Sequence, residues 1–111
     1  MIDPECMALT KAINSLPGLR TTESCCGHGK TPYRIWLVAT ELCCLPRLCW
    51  WLNRMHGGEI GWRLLVEMSE ADKTHVDFIV EGPIEGPDID AYAQADRLAA
   101  IIIQRDFPPR A

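Results

Sequence analysis

Apolar residues recur along this chain with two different periods, and the switches between them lay out its elements. In "IGWRLLVEM" (60–68), Ile60, Trp62, Leu64, Val66 and Met68 occupy every second position, as in a strand with one buried face. "HVDFIVEG" (75–82) repeats the alternation through Val76, Phe78 and Val80, and the polar "SEADK" between them predicts a hairpin. Two further strands are expected at "LRTTES" (19–24), which alternates, and "YRIWLVA" (33–39), which is rich in aromatic and β-branched residues.

The remaining segments follow a helical period. "DPECMALTKAINSL" opens with Asp3 as N-cap, Pro4 in the first helical position and Glu5 in the first turn. Met7, Ile13 and Leu16 form its apolar stripe, and Pro17-Gly18 ends it. Pro46 forbids one continuous helix through "ELCCLPRLCWWLNRM", so a helix is expected from about Leu45, with Leu45, Leu48, Cys49, Leu52 and Met55 on one face. A last helix, about 89–106 behind Asp88 as N-cap, is apolar around Tyr92, Ala95, Ala99, Ile102 and Ile103.

The order is therefore α-β-β-α-β-β-α in a single domain, residues 1–111. This is an α+β fold in which an antiparallel four-stranded sheet carries its helices on one face. The other face would show Arg63, Glu67, His75 and Asp77, with Arg34 and Trp36, and would be solvated, a ligand platform or a dimer contact. Ile101 points away from the last helix's apolar arc and favours a homodimer. Asp96 reads as a solvated carboxylate at the edge of that arc.

Composition narrows the setting. An apolar share of 48% and a charged share of 23% belong to an ordinary globule, and no apolar run approaches the ~20 residues of a membrane span. The first residues, "MIDPECMALTK", carry acids where a signal peptide would be basic, so a cytoplasmic protein is expected. Six cysteines include the adjacent pairs Cys25/Cys26 and Cys43/Cys44, which suit reduced thiols better than a disulfide framework. The net charge of −4 argues against duplex DNA as a partner. Yet residues 11–63 hold seven basic and three acidic groups, so a local basic surface facing an anion is available.

That surface includes the densest chemistry in the chain, "TTESCCGHGK" (21–30). As an anion site, Ser24 and the backbone at Gly27–Gly29 would hold a phosphate, with His28, Lys30 and Arg34 supplying charge. As a nucleophile site, Cys25 or Cys26 would be activated by His28, with Glu23, Asp77 or Glu81 orienting the imidazole. As a metal site, Cys25, Cys26 and His28 would need His56 or His75, and the spaced cysteine pairs of structural zinc are missing. A tight turn whose glycines serve geometry alone is the fourth reading. A separate surface is expected on the second helix, where Arg47, Trp50 and Arg54 would anchor a protein partner while Trp51 completes the core.

Thr22, Ser24, Cys25 and Gly27 also resemble the Thr/Ser-x-Ser-Cys-x-Gly signature of the tRNA wybutosine-synthesis methyltransferase family. The likeness covers residues 21–29, and His28 stands where that family usually has arginine. It implies a loop site in an α+β domain and an RNA-modification-like or nucleotide-related role. No glycine-rich methyl-donor motif accompanies it. As a whole the chain looks like small uncharacterised bacterial and phage proteins, which implies no function. The combined expectation is a small binding protein for a phosphate-bearing or nucleotide-like ligand at the Ser24–Lys30 loop. An interaction module and a cysteine-dependent enzyme are the alternatives, and no cofactor is named by the sequence.

Overall fold

The computed structural model describes residues 2–54, 61–69 and 73–104. Its elements are α1 (Pro4–Asn14), β1 (Leu19–Cys25), a single 3₁₀ turn (Gly27–Gly29), β2 (Arg34–Ala39), α2 (Leu45–Arg54), β3 (Arg63–Met68), β4 (Val76–Glu81) and α3 (Ala91–Gln104). The sheet order is β1-β2-β4-β3 and every pairing is antiparallel. This is the expected α+β order, with the helices packed on the sheet. β1 and β3 are the edge strands.

Period-two alternation decides which sheet face is buried. Ile35 pairs with Val80, and Val80 with Leu64, so these residues share the helix-covered face with Leu37 and Phe78. Against them α1 buries Cys6, Leu9, Ala12 and Ile13, α2 buries Leu48, Trp51 and Leu52, and α3 buries Ala95, Leu98, Ala99 and Ile102. Each large aliphatic side chain buried in this way contributes about 1.5–3 kcal/mol relative to exposure. Trp51 is fully buried, as expected.

On the open face two rows cross the strands. Trp36, Ile79 and Leu65 lie in register, and Ile79 between its two apolar neighbours is buried. The next row is Arg34, Glu81 and Arg63. Arg34 Nε donates to Glu81 Oε2 at 2.8 Å, while Arg63 donates to Oε1 from Nε at 3.0 Å and from Nη2 at 2.7 Å. Burial alone would raise the Glu81 carboxyl, but the hydrogen bonds from Arg63 and Arg34 outweigh it and hold it below the usual glutamate range.

Several expectations shift in detail. Met7 faces solvent, because the buried stripe of α1 runs through Cys6, Leu9 and Ile13. The last helix begins at Ala91, not 89. Its cap is Asp90, whose Oδ1 accepts from the Ala93 N–H at 2.9 Å, rather than Asp88. Ile101 is half-buried against the core instead of pointing outward, and Ile103 is the exposed isoleucine of α3. Asp96 is exposed, as expected. Met55, His56 and Ile60 lie outside the described residues. Among the described residues no helix is long and apolar enough to cross a membrane. None of the six cysteines is in a disulfide.

Tyr33 ties the fold to the loop that precedes it. Its ring is fully buried and meets Trp62 edge-on with centroids 5.3 Å apart, while its hydroxyl donates to the Glu5 carbonyl at 2.8 Å. Burial pushes that hydroxyl well above the usual tyrosine range. The downstream end of the loop is thereby fastened to the first turn of α1.

Candidate functional site

β1 ends at Cys25, opposite Arg34, and the chain then has to reverse to enter β2. Cys26 is helical in backbone (φ −74°, ψ −6°), after which Gly27 (φ 81°), His28 (φ 53°) and Gly29 (φ 77°) are all left-handed. A side chain on Gly27 would be strained by that φ and would meet the Pro32 carbonyl at 3.1 Å, so glycine is required there. Among the described residues His28 is the one non-glycine with positive φ. That conformation costs about 1–2 kcal/mol for a residue with a Cβ. A strained residue that the sequence could have relieved with a third glycine points to work done by its side chain.

The imidazole of His28 is exposed and lies between two groups. Its Nδ1 is 3.5 Å from Cys26 Sγ, and its Nε2 is 3.7 Å from Asp3 Oδ2. Asp3 precedes α1 in the N-cap position but makes no side-chain hydrogen bond to its own helix. Its carboxylate turns instead to the loop and accepts the Cys26 N–H at 3.2 Å. That backbone hydrogen bond is the chief reason its carboxyl is held below the usual aspartate range. The Gly27 N–H donates to Cys25 Sγ at 3.4 Å. One ligand atom each from Asp3, Cys25 and His28 therefore fall within 4.8 Å of one another.

These contacts bear on the backbone cradle expected at Gly27–Gly29, of which the Gly27 amide is already taken. The Cys26 and Gly27 amides already donate to Asp3 and Cys25 Sγ, and those of Lys30 and Thr31 donate to the Gly27 carbonyl at 2.9 and 3.1 Å. The anion facing the loop is the protein's own Asp3. Arg34, opposite Cys25 at the start of the loop, is engaged by Glu81 through its Nε. Lys30 is exposed and has no ion-pair partner among the described residues. Ser24 lies on β1 opposite Ile35, beside the Cys6 thiol, whose ionisation is opposed chiefly by burial.

The nucleophile reading meets the structure unevenly. Cys26, His28 and Asp3 form a chain of contacts like a thiol–imidazole–carboxylate relay, but the Cys26 thiol is buried at 2% exposure. The Tyr92 hydroxyl is raised first by its hydrogen bond with Cys26 and then by burial, so that thiol is covered from the α3 side. Cys25 is the half-buried member of the pair. Glu81 pairs with the arginines, Asp77 lies on the open face, and neither Asp77 nor Glu81 orients the imidazole. Asp3, which the sequence suggested only as a helix cap, holds that place.

A cleft of about 390 Å³ opens along the free edge of β1, lined by Ile2, Thr10, Thr21, Thr22, Glu23 and Ser24. The edge is irregular, since the register to β2 shifts between Thr21 and Glu23. Asn14 fixes Thr21 there, accepting its N–H and donating to its hydroxyl, both at 2.8 Å. Thr10 is 6% exposed, and its Oγ1 has no hydrogen-bond partner among the described residues. Ser24 and Ile2, at one end of the lining, adjoin Cys25 and Asp3 in sequence, so cleft and loop cluster are neighbours.

The second-helix surface is less open than expected. Arg47 is exposed, but Trp50 is half-buried and packs against the core, and the Arg54 side chain lies outside the described set. The signal for Thr10 was present in the sequence, a polar residue four positions after Cys6 on the buried stripe of α1. Asp3 carried no such signal. No protein-family model, curated protein or solved structure matches the chain.

Proposed function

We propose that the protein binds a small phosphate-bearing or nucleotide-like ligand in the cleft along β1, with the anionic end reaching the 24–30 loop. The observation that carries this reading is Thr10, whose buried hydroxyl lacks a partner at the wall of the cleft. A buried hydroxyl left unpaired costs about 1–3 kcal/mol, and valine would fill the same space without that cost. The hydroxyl itself is closed off from the cleft, and a χ1 rotation of Thr10 toward it would let a ligand supply the missing partner. The cleft's volume lies within the range of small-molecule sites, about 300–1,000 Å³.

The lining favours a donor-rich ligand. Glu23 accepts only, and the hydroxyls of Thr10, Thr21 and Ser24 both donate and accept, which suits sugar hydroxyls and base amino groups. Exposed His28 and Lys30 follow directly on β1 and receive the phosphate through side chains instead of backbone amides. The test is an amide NMR titration with AMP, GMP, CMP and UMP. Saturable shifts at Thr10, Thr21–Ser24, His28 and Lys30 are expected for at least one nucleotide. Thr10→Val should weaken that binding at least about tenfold, the equivalent of one lost hydrogen bond of ~1.4 kcal/mol. No saturable shifts, or equal affinity in Thr10→Val, would reject the reading.

A further inference from the structure

We infer that Asp3, Cys25 and His28 form a binding site for one thiophilic divalent metal ion of the zinc class. The three ligand atoms lie within 4.8 Å of one another, a spacing that a shared ion closes with small side-chain adjustments. They represent the carboxylate, thiolate and imidazole ligands that zinc accepts, and a thiolate disfavours magnesium or calcium. Three protein ligands leave one tetrahedral position open. A closed structural site would use four.

The surroundings prepare each ligand. Asp3 is turned away from capping α1 and held by the Cys26 N–H. Cys25 Sγ accepts the Gly27 N–H, which holds the sulfur against the loop. Cys26 Sγ contacts His28 Nδ1, which favours a ring orientation with Nε2 toward Asp3. The left-handed backbone at His28 brings its imidazole to this point, and neither flanking glycine could supply a ligand. A loop that merely reversed the chain would need the glycines but not the carboxylate, thiol and imidazole converging on one side of it.

The site shares His28 with the phosphate end of the cleft reading but does not depend on that reading. An ion here would offset Asp3 and give a phosphate its cationic partner at the open position. Without an ion, Asp3 and Glu23 oppose an anion at this end of the molecule.

The experiment is a Co(II) titration of the reduced, full-length protein with no nucleotide present, read by absorption. One equivalent should produce a thiolate-to-cobalt charge-transfer band with the intense visible bands of tetrahedral cobalt, and Zn(II) should bleach both. Cys25→Ser should remove the charge-transfer band. Asp3→Asn, which still accepts the Cys26 N–H, and His28→Gly, which relaxes the backbone, should each weaken binding at least tenfold while leaving the circular dichroism unchanged. Cys43→Ser, at the exposed thiol before α2, should change nothing. Absence of the bands, their survival in Cys25→Ser, or their loss in Cys43→Ser would overturn the site. A negative result here leaves the nucleotide titration of the cleft to stand or fall independently.

Discussion

Glu81 and Asp3 are both carboxylates brought to basic or polar groups from distant parts of the chain, yet their surroundings differ in kind. Glu81 receives three charge-assisted hydrogen bonds of 3.0 Å or less from two arginines, and its side chain is 7% exposed. Asp3 receives one backbone N–H at 3.2 Å and faces an imidazole at 3.7 Å, with its side chain 29% exposed. The sheet holds Glu81 on a rigid register, so its partners meet it on both oxygens. The loop engages Asp3 through Cys26 and leaves the His28 imidazole beyond hydrogen-bond distance. A saturated carboxylate contributes to folding, whereas an incompletely engaged one beside a thiol and an imidazole retains capacity for an external cation.

The largest effect separating the two regions should come from Glu81→Ala. Charge-assisted hydrogen bonds contribute about 1.5–3 kcal/mol each, but Arg34 and Arg63 can rehydrate once released, so a net loss of about 2 kcal/mol is expected. Urea denaturation measures it, and Co(II) binding should be unaffected. Acid sharpens the same contrast. Glu81 titrates lower in the folded state than in the unfolded chain, so its contribution is fully present above the unfolded carboxyl range and fades as pH falls through its folded value. Glu81→Gln should flatten the acid limb of a stability profile more than Asp3→Asn does, because Asp3, although also shifted downward, makes fewer and longer contacts.

Next in size is Gly27→Ala. Left-handed φ and the nearby Pro32 carbonyl make the added methyl unfavourable by about 1–2 kcal/mol. Unlike Glu81→Ala, this change should also weaken Co(II) binding, since the Gly27 amide supports Cys25 Sγ. A smaller effect of opposite sign is expected at the cleft. Thr10→Val removes an unpaired buried hydroxyl without changing shape and should stabilise the protein by about 1 kcal/mol in the same urea experiment. Stability gained where binding is lost distinguishes a ligand-facing residue from a structural one.

How much of this could be read from the sequence follows the range of the interactions. Periodicity reports which face each element buries, so the α-β-β-α-β-β-α order and the buried place of Trp51 were legible. So was the chemical loop at 24–30, because glycines and reactive side chains are adjacent in the chain. Asp3 was not, since 23 residues separate it from Cys26 and its position before Pro4 has a sufficient local explanation as a cap. The pairing of Arg34 with Glu81 was hidden for a related reason. The arginine's charge is visible in sequence, but its partner is set by the β2–β4 register, which joins strands from different hairpins. A hairpin can be counted from its turn, whereas a pairing between hairpins cannot.

The smallest stability effect belongs to His28→Gly, and it bears most directly on the difference between the two carboxylates. Histidine in the left-handed region costs about 1–2 kcal/mol, which glycine would recover. Glycine also enlarges the unfolded ensemble, which takes back about 0.5–1 kcal/mol. The lost contact to Asp3, 3.7 Å from an imidazole that is 68% exposed, is worth close to nothing in water. Urea denaturation should therefore find the variant within about 0.5 kcal/mol of wild type, or slightly more stable, by the balance of these opposing effects. Co(II) affinity should meanwhile fall at least tenfold. A destabilisation as large as that of Glu81→Ala would instead make His28 a structural partner of Asp3. The loop would then be a second saturated carboxylate network, with nothing left over to hold an ion.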